Sequence, residues 1–439
     1  MNNFSDAKHL VNESQLSSAI NVIESGNKMK MDTTQDKQKK LKVVSLFSGC
    51  GGMDLGFVGG FKHRHYEFKK TGFELVFSND FDAHATRVYQ ANQKYLGGHS
   101  FHAGDVTKIP NEDIPDFDIL LAGFPCQPFS NAGNRQGIND KSGRGTLFYE
   151  CERILKHNIE KANGKLPMAF VFENVRGIIS SKMPDGQTVP EEISRRMSAL
   201  GFKITMKLLR SSDYGVPQNR YRFIIVGVRN DIKEFDFSEM DEIVNKYGLP
   251  SINGDQYELT LGAILSDIPK TALHASEYWK YSPGSQSMVD MIGPCLNGAE
   301  ALPKFKKKVL LEKISPTIKQ GRSWKNIPPE NLSPRFKKIY DNPEVYHAPN
   351  FYRRFALGEI AGTITASAQP ENCGITHPFE NRRMSIREIA RVQSFPDDFN
   401  FSCSTIAGSY KVIGNAVPPV FGWVIAMALQ SHLSKHVSA

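Results

Sequence analysis

The amino-acid sequence predicts an α/β protein in which a mainly parallel sheet domain is followed by a smaller, irregular domain. From residue 42 to about residue 230, short apolar runs rich in β-branched residues alternate with segments of helical character. This alternation is typical of parallel strands whose two faces are both covered by helices. Between residues 231 and 380, prolines and glycines are scattered and apolar runs are short, which indicates less regular structure.

The predicted strands are short apolar runs of similar length. In chain order they span residues 42–47, 74–79, 100–105, 118–123, 168–174, 203–209 and 223–228. Helices are predicted to begin at residue 51, to span about 81–95 and 146–158, and to follow late in the chain at 385–395 and 418–433. The last two strands are close in sequence, so we expect them to form an antiparallel edge.

Changes in composition predict the domain boundaries. Residues 1–41 are polar and rich in Ser, Asn and Lys, which predicts a tail without a core. We expect a sheet domain over residues 42–235 and the irregular domain over 236–380. We expect the final segment, 381–439, to return to the sheet domain through its apolar helix.

Bulk composition favours an intracellular globular protein. Of the 439 residues, 40% are hydrophobic and 23% are charged, as in ordinary globular domains. No apolar run reaches the roughly 18–20 residues of a membrane span, and the first residues lack the layout of a signal peptide. The six cysteines form no CxxC pair, so neither a zinc site nor a disulfide framework is expected.

The formal net charge of +8 has a local source. Residues 301–360 hold 13 Lys and Arg against 5 Asp and Glu. Such an excess favours a polyanionic partner, although a solvated basic face is the commoner cause of a modest patch. Charge alone leaves nucleic acid binding open.

A glycine-rich turn, FSGCGG at residues 47–52, follows the first predicted strand. Glycines there allow a tight turn and close approach of the backbone to a ligand. Asp80 and Asp105 end the next two strands and should lie at the same carboxyl edge, where open α/β sheets bind ligands. Either acid alone is better explained as a helix cap or turn former. Together with the glycines they favour a cofactor that contains a nucleoside.

Cys126 stands between two prolines in GFPCQPFS, residues 123–130, directly after a predicted strand. Pro125 and Pro128 restrict the backbone around it, so the thiol is presented in a fixed direction, as a nucleophile requires. Glu173, at the end of the next strand, is a plausible neighbour. Arg220 and Arg222 alternate in QNRYR, residues 218–222, and should share one face of an extended segment. Plain structural roles remain open for each of these side chains.

The motifs FSGCGG, GFPCQPFS, FENV (172–175), QNRYR and GNAVPP (414–419), in this order, resemble those of the cytosine-C5 DNA methyltransferases. The likeness extends to RRMSIREIARVQSFPDDF (382–399) and covers about residues 42–230 and 350–433. It implies a Rossmann-like sheet domain that binds S-adenosylmethionine and a target-recognition domain that contacts double-stranded DNA.

The resemblance also implies the chemistry. Cys126 would add to C6 of a flipped-out cytosine and make C5 nucleophilic toward the methyl group of S-adenosylmethionine. Glu173 would hold N3 and the exocyclic amine, Arg222 would contact O2, and Arg220 would support the loop or a phosphate. The cofactor would be contacted by residues of the glycine turn, the strand ends and the late motif: Phe47, Gly49, Gly51, Asp80, Asp105, Val106, Phe124, Pro125, Asn415 and Val417.

DNA contacts are expected in two places. Residues 127–145, which include Gln127 and Ser130, resemble the loop that closes over the target base. The region between QNRYR and the late block reads DNA sequence in this family, and the basic stretch 301–360 falls inside it. Candidate contacts there are Arg322, Trp324, Arg353 and Arg354.

Two features depart from the family pattern. An insert at residues 58–70 lengthens the gap between the glycine turn and Asp80 beyond the usual spacing of about 20 residues. The insert is basic, so it either touches DNA or is a solvated loop. The tail, 1–41, has no family role.

The leading interpretation is a monomeric, cytoplasmic, nucleoid-associated enzyme that protects host DNA in a restriction–modification system, with a cognate endonuclease as functional rather than physical partner. A tRNA-methylating member of the same family shares the motifs. The long region between QNRYR and the late block, called the variable region below, contains the basic stretch and favours DNA. A nucleotide-binding dehydrogenase would leave GFPCQPFS, FENV and QNRYR unexplained. A DNA-binding relic without activity is disfavoured by the intact Cys126, Glu173 and Arg222.

Overall fold

A mainly parallel sheet organises the protein, as predicted. The computed structural model describes residues 40–125, 147–162, 167–269, 271–295, 321–342, 350–371 and 373–436. Its strands are β1 (Leu41–Leu46), β2 (Phe61–His63), β3 (Tyr66–Phe68), β4 (Phe73–Asp80), β5 (Ser100–Ala103), β6 (Ile119–Ala122), β7 (Ala169–Val175), β8 (Phe202–Arg210), β9 (Gln218–Asn219), β10 (Tyr221–Arg229) and β11 (Ala361–Gly362). Within the described residues, the large sheet has seven strands in the order β5-β4-β1-β6-β7-β10-β8.

The strand directions explain how the sheet edge is built. The pairs β1–β4, β1–β6, β4–β5 and β6–β7 are parallel. Strand β10 is antiparallel to both β7 and β8, which confirms the predicted antiparallel pairing of the last two strands. The insertion of β10 between β7 and β8 was not predicted, and it brings the start of β10 beside the end of β7.

Helices cover both faces of the sheet. In chain order, the helices of the described residues are α1 (Gly52–Val58), α2 (Ala83–Ala91), α3 (Gln93–Leu96), α4 (Phe148–Lys161), α5 (Val189–Ala199), α6 (Ser238–Tyr247), α7 (Leu261–Leu265), α8 (Pro283–Ile292), α9 (Pro334–Asp341), α10 (Ile386–Val392), α11 (Ile406–Asn415) and α12 (Pro419–His436). Alternate residues of β7 serve opposite faces: Val171 packs with α12 residues, whereas Phe170 and Phe172 pack with residues of α4 and α5. The sheet is therefore buried on both sides.

The C-terminal helices belong to this core. Ile406–His436 is long and apolar enough to cross a membrane, but most of it is buried inside the protein. Helix α12 packs on α1 so closely that a Cβ atom at Gly56 would lie 2.5 Å from the backbone nitrogen of Trp423. The length and apolarity of this stretch are therefore those of a core helix pair.

The variable region contributes to more than one core cluster. Residues of α7 pack in the large cluster with residues of α10 and α12. Trp324, Phe336 and Phe351 belong to a separate aromatic cluster together with residues of α8. The described residues from 40 onward belong to one compact unit. The boundaries 236–380 and 381–439 stay predictions, and residues 1–39 lie outside the described part of the chain.

The basic insert is a packed hairpin, and not the wholly solvated loop considered from the sequence. Its strands β2 and β3 bury Phe61 and Phe68, whose rings stack at 4.8 Å. His63 is also buried, with Nδ1 3.4 Å from the carbonyl oxygen of Phe395. Arg64 forms an ion pair of 2.6 Å with Glu258. The hairpin follows the C-terminal end of α1, and contact between its exposed basic residues and DNA stays a prediction.

Candidate active site

The carboxyl ends of β1, β6 and β7 meet at one point of the sheet. Gly123 follows β6, and a Cβ atom at that position would lie 3.6 Å from Oε2 of Glu173 and 3.7 Å from the carbonyl oxygen of Phe47. Asn174 donates a hydrogen bond of 3.3 Å from Nδ2 to the carbonyl oxygen of Phe124. Strand β7 therefore fixes both the carboxylate of Glu173 and the segment that leads into Cys126.

Glu173 and Arg222 face each other across two antiparallel strands. Arg222 pairs in register with Val175, so it is the diagonal neighbour of Glu173 on the same face. Its Nε lies 2.5 Å from Oε1 of Glu173, and its Nη1 donates to the carbonyl oxygen of Tyr221 at 2.8 Å. The side chain of Arg222 is 10% exposed and that of Glu173 is 11% exposed. A paired carboxylate and guanidinium at a strand end can bind a small polar ring through complementary hydrogen bonds.

The predicted nucleophile, Cys126, and the predicted DNA contacts Gln127 and Ser130 lie outside the described residues. The other five cysteines can be assessed: Cys50, Cys151, Cys295 and Cys373 are buried, and Cys403 is partly buried. Burial raises the pKa of each of these thiols, which disfavours the reactive thiolate. The five are therefore poor nucleophiles.

Arg220 is buried directly before strand β10 begins. Strand β9 ends at Asn219 and β10 begins at Tyr221. Between them, the backbone nitrogen of Arg220 donates to the carbonyl oxygen of Gln218 at 2.9 Å. Arg220 is 0% exposed. Its guanidinium donates to the carbonyl oxygens of Ile364 and Gly414, which is a supporting role, and a contact with substrate or phosphate stays a prediction.

The glycine turn and Asp80 form a second part of the site. The carboxylate of Asp80 accepts hydrogen bonds of 2.7 Å from the backbone nitrogens of Gly49 and Asp82, and burial raises its pKa. Gly49 has φ of 59°, and none of the described atoms lies within 4 Å of a Cβ built there. At Gly51, which has φ of 87°, a Cβ would meet Leu96 at 2.9 Å. Gly49 thus leaves space for a ligand, whereas Gly51 allows helix packing.

Phe81 was missed by the sequence analysis. It follows Asp80 directly and is 79% exposed. An exposed ring at a strand end can stack on a nucleobase. The signal in the sequence was an aromatic residue immediately after the acid that ends a strand.

Asp105 and Val106 lie near Asp80 but have structural roles. Ala103 pairs in register with Asp80, so Asp105 follows at the same edge. Its carboxylate caps a short 3-10 helix by accepting from the backbone nitrogen of Thr107 at 3.0 Å and from its hydroxyl at 2.8 Å. Val106 is buried. The turn-forming role considered from the sequence is present, and a contact with adenine stays a prediction.

The late motif closes this part of the site. Asn415 ends α11 and is exposed, and Val417 is buried. A Cβ atom at Gly52 would lie 2.2 Å from the carbonyl oxygen of Val417, so the turn at residues 415–417 sits on the start of α1. The open backbone at Gly49, the carboxylate of Asp80 and the ring of Phe81 fit a ligand that carries a ribose and a base.

The DNA contacts predicted in the variable region differ in how deeply they are buried. Arg354 is 1% exposed and donates to the carbonyl oxygens of His377 at 3.1 Å and Glu380 at 3.2 Å. Burial lowers its pKa to about 10. Trp324 is buried in the aromatic cluster. Because their surfaces are occupied by protein, we no longer propose these two as DNA contacts.

Arg322 and Arg353 are partly exposed. Arg322 donates from Nη1 to the carbonyl oxygen of Pro294 at 3.2 Å. Arg353 forms an ion pair with Glu359, and its guanidinium lies 4.9 Å from the ring centre of Phe355. Their contact with DNA stays a prediction.

The sheet order and the site define an α/β protein with a candidate nucleoside-binding edge and an adjacent carboxylate–guanidinium pair. The family model of the C-5 cytosine-specific DNA methylases matches residues 41–431. The chain therefore belongs to this family and is a DNA (cytosine-5-)-methyltransferase. The resemblance of the five motifs is confirmed.

Relatives and solved structures agree with this assignment. The chain is 30% identical over 400 residues to the Type II methyltransferase M.NgoPII of Neisseria gonorrhoeae, covering 90% of this chain and 97% of that protein. It is 32% identical over 401 residues to M.FnuDI of Fusobacterium nucleatum, covering 90% and 95%. The structure of S. pombe Dnmt2 methyltransferase matches with a TM-score of 0.54 at 15% identity, covering 90% of this chain and 99% of that one. The structural match at this identity supports the fold alone.

Proposed function

We propose that this enzyme methylates C5 of a flipped-out cytosine within a short specific duplex sequence, through a covalent adduct between Cys126 and C6. The observation that carries the proposal is the ion pair of Glu173 and Arg222. It lies beside the Phe124–Pro125 segment that leads into Cys126.

Each residue has a defined task in the proposed reaction. The Cys126 thiolate forms a bond to C6, and the electron pair of the C5=C6 double bond becomes available at C5. Glu173 and Arg222 hold the polar edge of the ring and stabilise the charge that develops on it. After C5 has gained the methyl group, C5 loses its proton to a base, the Cys126–C6 bond breaks, and the double bond re-forms.

The cofactor edge is proposed to hold S-adenosylmethionine, which supplies an electrophilic methyl group on its sulfonium. Asp80 has two backbone hydrogen bonds and further lone pairs, so it can accept from ribose hydroxyls. Phe81 is positioned to stack on the adenine, and the exposed backbone at Gly49 allows close approach. Asn415 and Val417 form the wall opposite the glycine turn. Phe47, Asp105, Val106, Phe124 and Pro125 complete the proposed cofactor contacts.

The partner and setting are proposed from the relatives. M.NgoPII and M.FnuDI are named Type II methyltransferases, which supports duplex DNA as substrate and host protection as role. The target base is stacked inside a duplex, so it has to be flipped out before Glu173 can reach it. A cognate endonuclease would share the recognition sequence without binding this chain, which we propose acts as a cytoplasmic monomer. Arg322, Arg353, Gln127 and Ser130 remain proposed DNA contacts.

Expression in a host without cytosine methylation tests the proposal. Sequencing of the host DNA for 5-methylcytosine should show methylation at one short recurrent sequence. Soluble protein that binds S-adenosylmethionine but methylates tRNA rather than DNA would overturn the choice of substrate. Soluble protein that ignores S-adenosylmethionine would overturn the cofactor assignment.

A further inference from the structure

We infer that Gln218, Arg220 and Gln393 form a positioning cluster that couples the binding of DNA to the binding of the methyl donor. The cluster joins the end of the variable region, residues 361–366, to the turn at residues 413–417. The inference rests on the proposed function, because it takes the first segment to lie on the DNA side and the second to line the cofactor.

One side of the cluster holds the end of helix α11. The last carbonyl groups of a helix have no partners within it. Gln393 donates from Nε2 to the carbonyl oxygens of Ile413 at 2.9 Å and Ala416 at 2.6 Å. Arg220 donates from Nη2 to the carbonyl oxygen of Gly414 at 2.8 Å. These bonds set the direction in which the chain leaves α11, and therefore the position of Asn415.

The other side holds the end of the variable region. Arg220 donates from Nη1 to the carbonyl oxygen of Ile364 at 2.9 Å. Gln218 accepts at Oε1 from the backbone nitrogen of Ile364 at 3.0 Å, and its Nε2 donates to Oε1 of Gln393. The short pairing of β9 with β11 continues this attachment. One guanidinium and two amides thus bind both segments at once.

Packing makes the connection stiff. Gln218, Arg220 and Gln393 are each 0% exposed. A Cβ atom at Gly414 would lie 2.4 Å from the carbonyl carbon and oxygen of Thr365, so the two backbones are in direct contact. Close-packed groups transmit small displacements because no free volume absorbs them. A shift of residues 361–366 on DNA binding therefore has to move the turn at 413–417.

The alternative is that the cluster only stabilises the fold, and the chain offers a matched control. Asn92 is also a fully buried amide. It donates to the carbonyl oxygens of Val88 at 2.7 Å and Asn400 at 2.8 Å and accepts from the backbone nitrogen of Asn400 at 2.7 Å. It joins the end of α2 to another loop and touches neither segment of the positioning cluster. A variant at Asn92 measures the effect of lost stability alone.

The experiment measures the affinity of the full-length protein for S-adenosylhomocysteine, with and without a duplex that carries the methylated sequence. The wild type should bind this product more tightly with DNA than without it. Gln393→Met should raise the dissociation constant measured with DNA about tenfold, which corresponds to about 1.4 kcal/mol. The ratio of the constants measured without and with DNA should then be close to one. Asn92→Leu should lower the melting temperature about as much as Gln393→Met does. It should keep the wild-type ratio of the two dissociation constants.

Three results would overturn the inference. The first is a ratio of one in the wild type, and the second is a ratio in Gln393→Met equal to that of the wild type. The third is a ratio in Asn92→Leu that falls as far as it does in Gln393→Met. If Gln393→Met does not fold, Arg220→Lys replaces it, because an ammonium cannot bridge the two carbonyls as the planar guanidinium does. A wild type that methylates DNA but shows no coupling refutes this inference alone, whereas one that binds no S-adenosylmethionine refutes the proposed function.

Discussion

The Nε atom of Arg222 lies 2.5 Å from Oε1 of Glu173, and this ion pair is buried at the point where β7 ends and β10 begins. Removing one partner of a buried pair leaves the other charge uncompensated. The pair therefore has a structural role, and measurements can separate this from the catalytic role that we propose for it.

Glu173→Gln should lower the methylation rate by about 10²–10³-fold, because removing one group that stabilises developing charge typically costs that factor. The affinity for S-adenosylmethionine should change little. Steady-state kinetics with the methylated duplex and equilibrium binding of the cofactor measure the two effects.

Asp231→Asn is the control for the ion pair. Asp231 pairs with Arg229 at 2.5 Å just beyond the other end of the same strand, β10, and its side chain is 63% exposed. Surface pairs of this kind contribute about 0–1 kcal/mol, so methylation should stay at the wild-type rate. Equal losses of rate in the two variants would show that Glu173 acts only through stability.

Cys126→Ala should abolish methylation while leaving the fold and cofactor binding intact, because the thiolate is the proposed nucleophile. Cys403→Ala is the control, since Cys403 is the partly exposed cysteine among the described residues. Methyl transfer to the duplex from labelled S-adenosylmethionine checks both. Substantial turnover by Cys126→Ala would refute the covalent mechanism.

Phe81→Ala should weaken cofactor binding on the order of tenfold, because stacking of a base on an aromatic ring is worth about 1–3 kcal/mol. The melting temperature should not change, since the ring is almost fully exposed. Tyr340→Ala, at another exposed aromatic position, should leave the affinity unchanged. Calorimetric titration with S-adenosylmethionine measures the effect, and an unchanged affinity of Phe81→Ala would remove the ring from the site.

The sequence predicted the sheet and its active edge because the strands are continuous apolar runs and their ends carry polar motifs. It could not place β10 between β7 and β8, since a run of apolar residues does not specify its neighbours. The buried partners of Arg220 could not be predicted, because Ile364 and Gly414 are distant from it in the chain. The buried Phe61 and Phe68 were hidden among basic residues, although each alternates with exposed neighbours as a half-buried strand requires.

Phe81 was missed for a different reason. An apolar residue beside a strand is ordinarily assigned to the core, and exposure cannot be read from one position in a sequence. The contacts of Arg354 were unpredictable because they join residues distant in the chain. Its charge suggested DNA, whereas its partners are backbone carbonyls.

Acid should destabilise the fold through His63 and His377. Burial lowers the pKa of His63 to about 3 and that of His377 to about 4, against an ordinary value of 6.5. Below pH 6.5 the unfolded chain takes up these protons and the folded protein does not. Their contribution to stability is therefore complete above about pH 6.5 and is lost as the pH falls toward 4 and then 3.

Each buried histidine should contribute a slope of about 1.4 kcal/mol per pH unit in that window. His63→Gln should reduce the number of protons taken up on unfolding by about one, and so make the free energy of unfolding depend less steeply on pH. Urea denaturation at pH 7.5, 6 and 5 measures this dependence. His65→Gln, in the same hairpin but at an exposed position, should keep the wild-type slope. An unchanged slope in His63→Gln would show that His63 does not remain neutral in the folded protein.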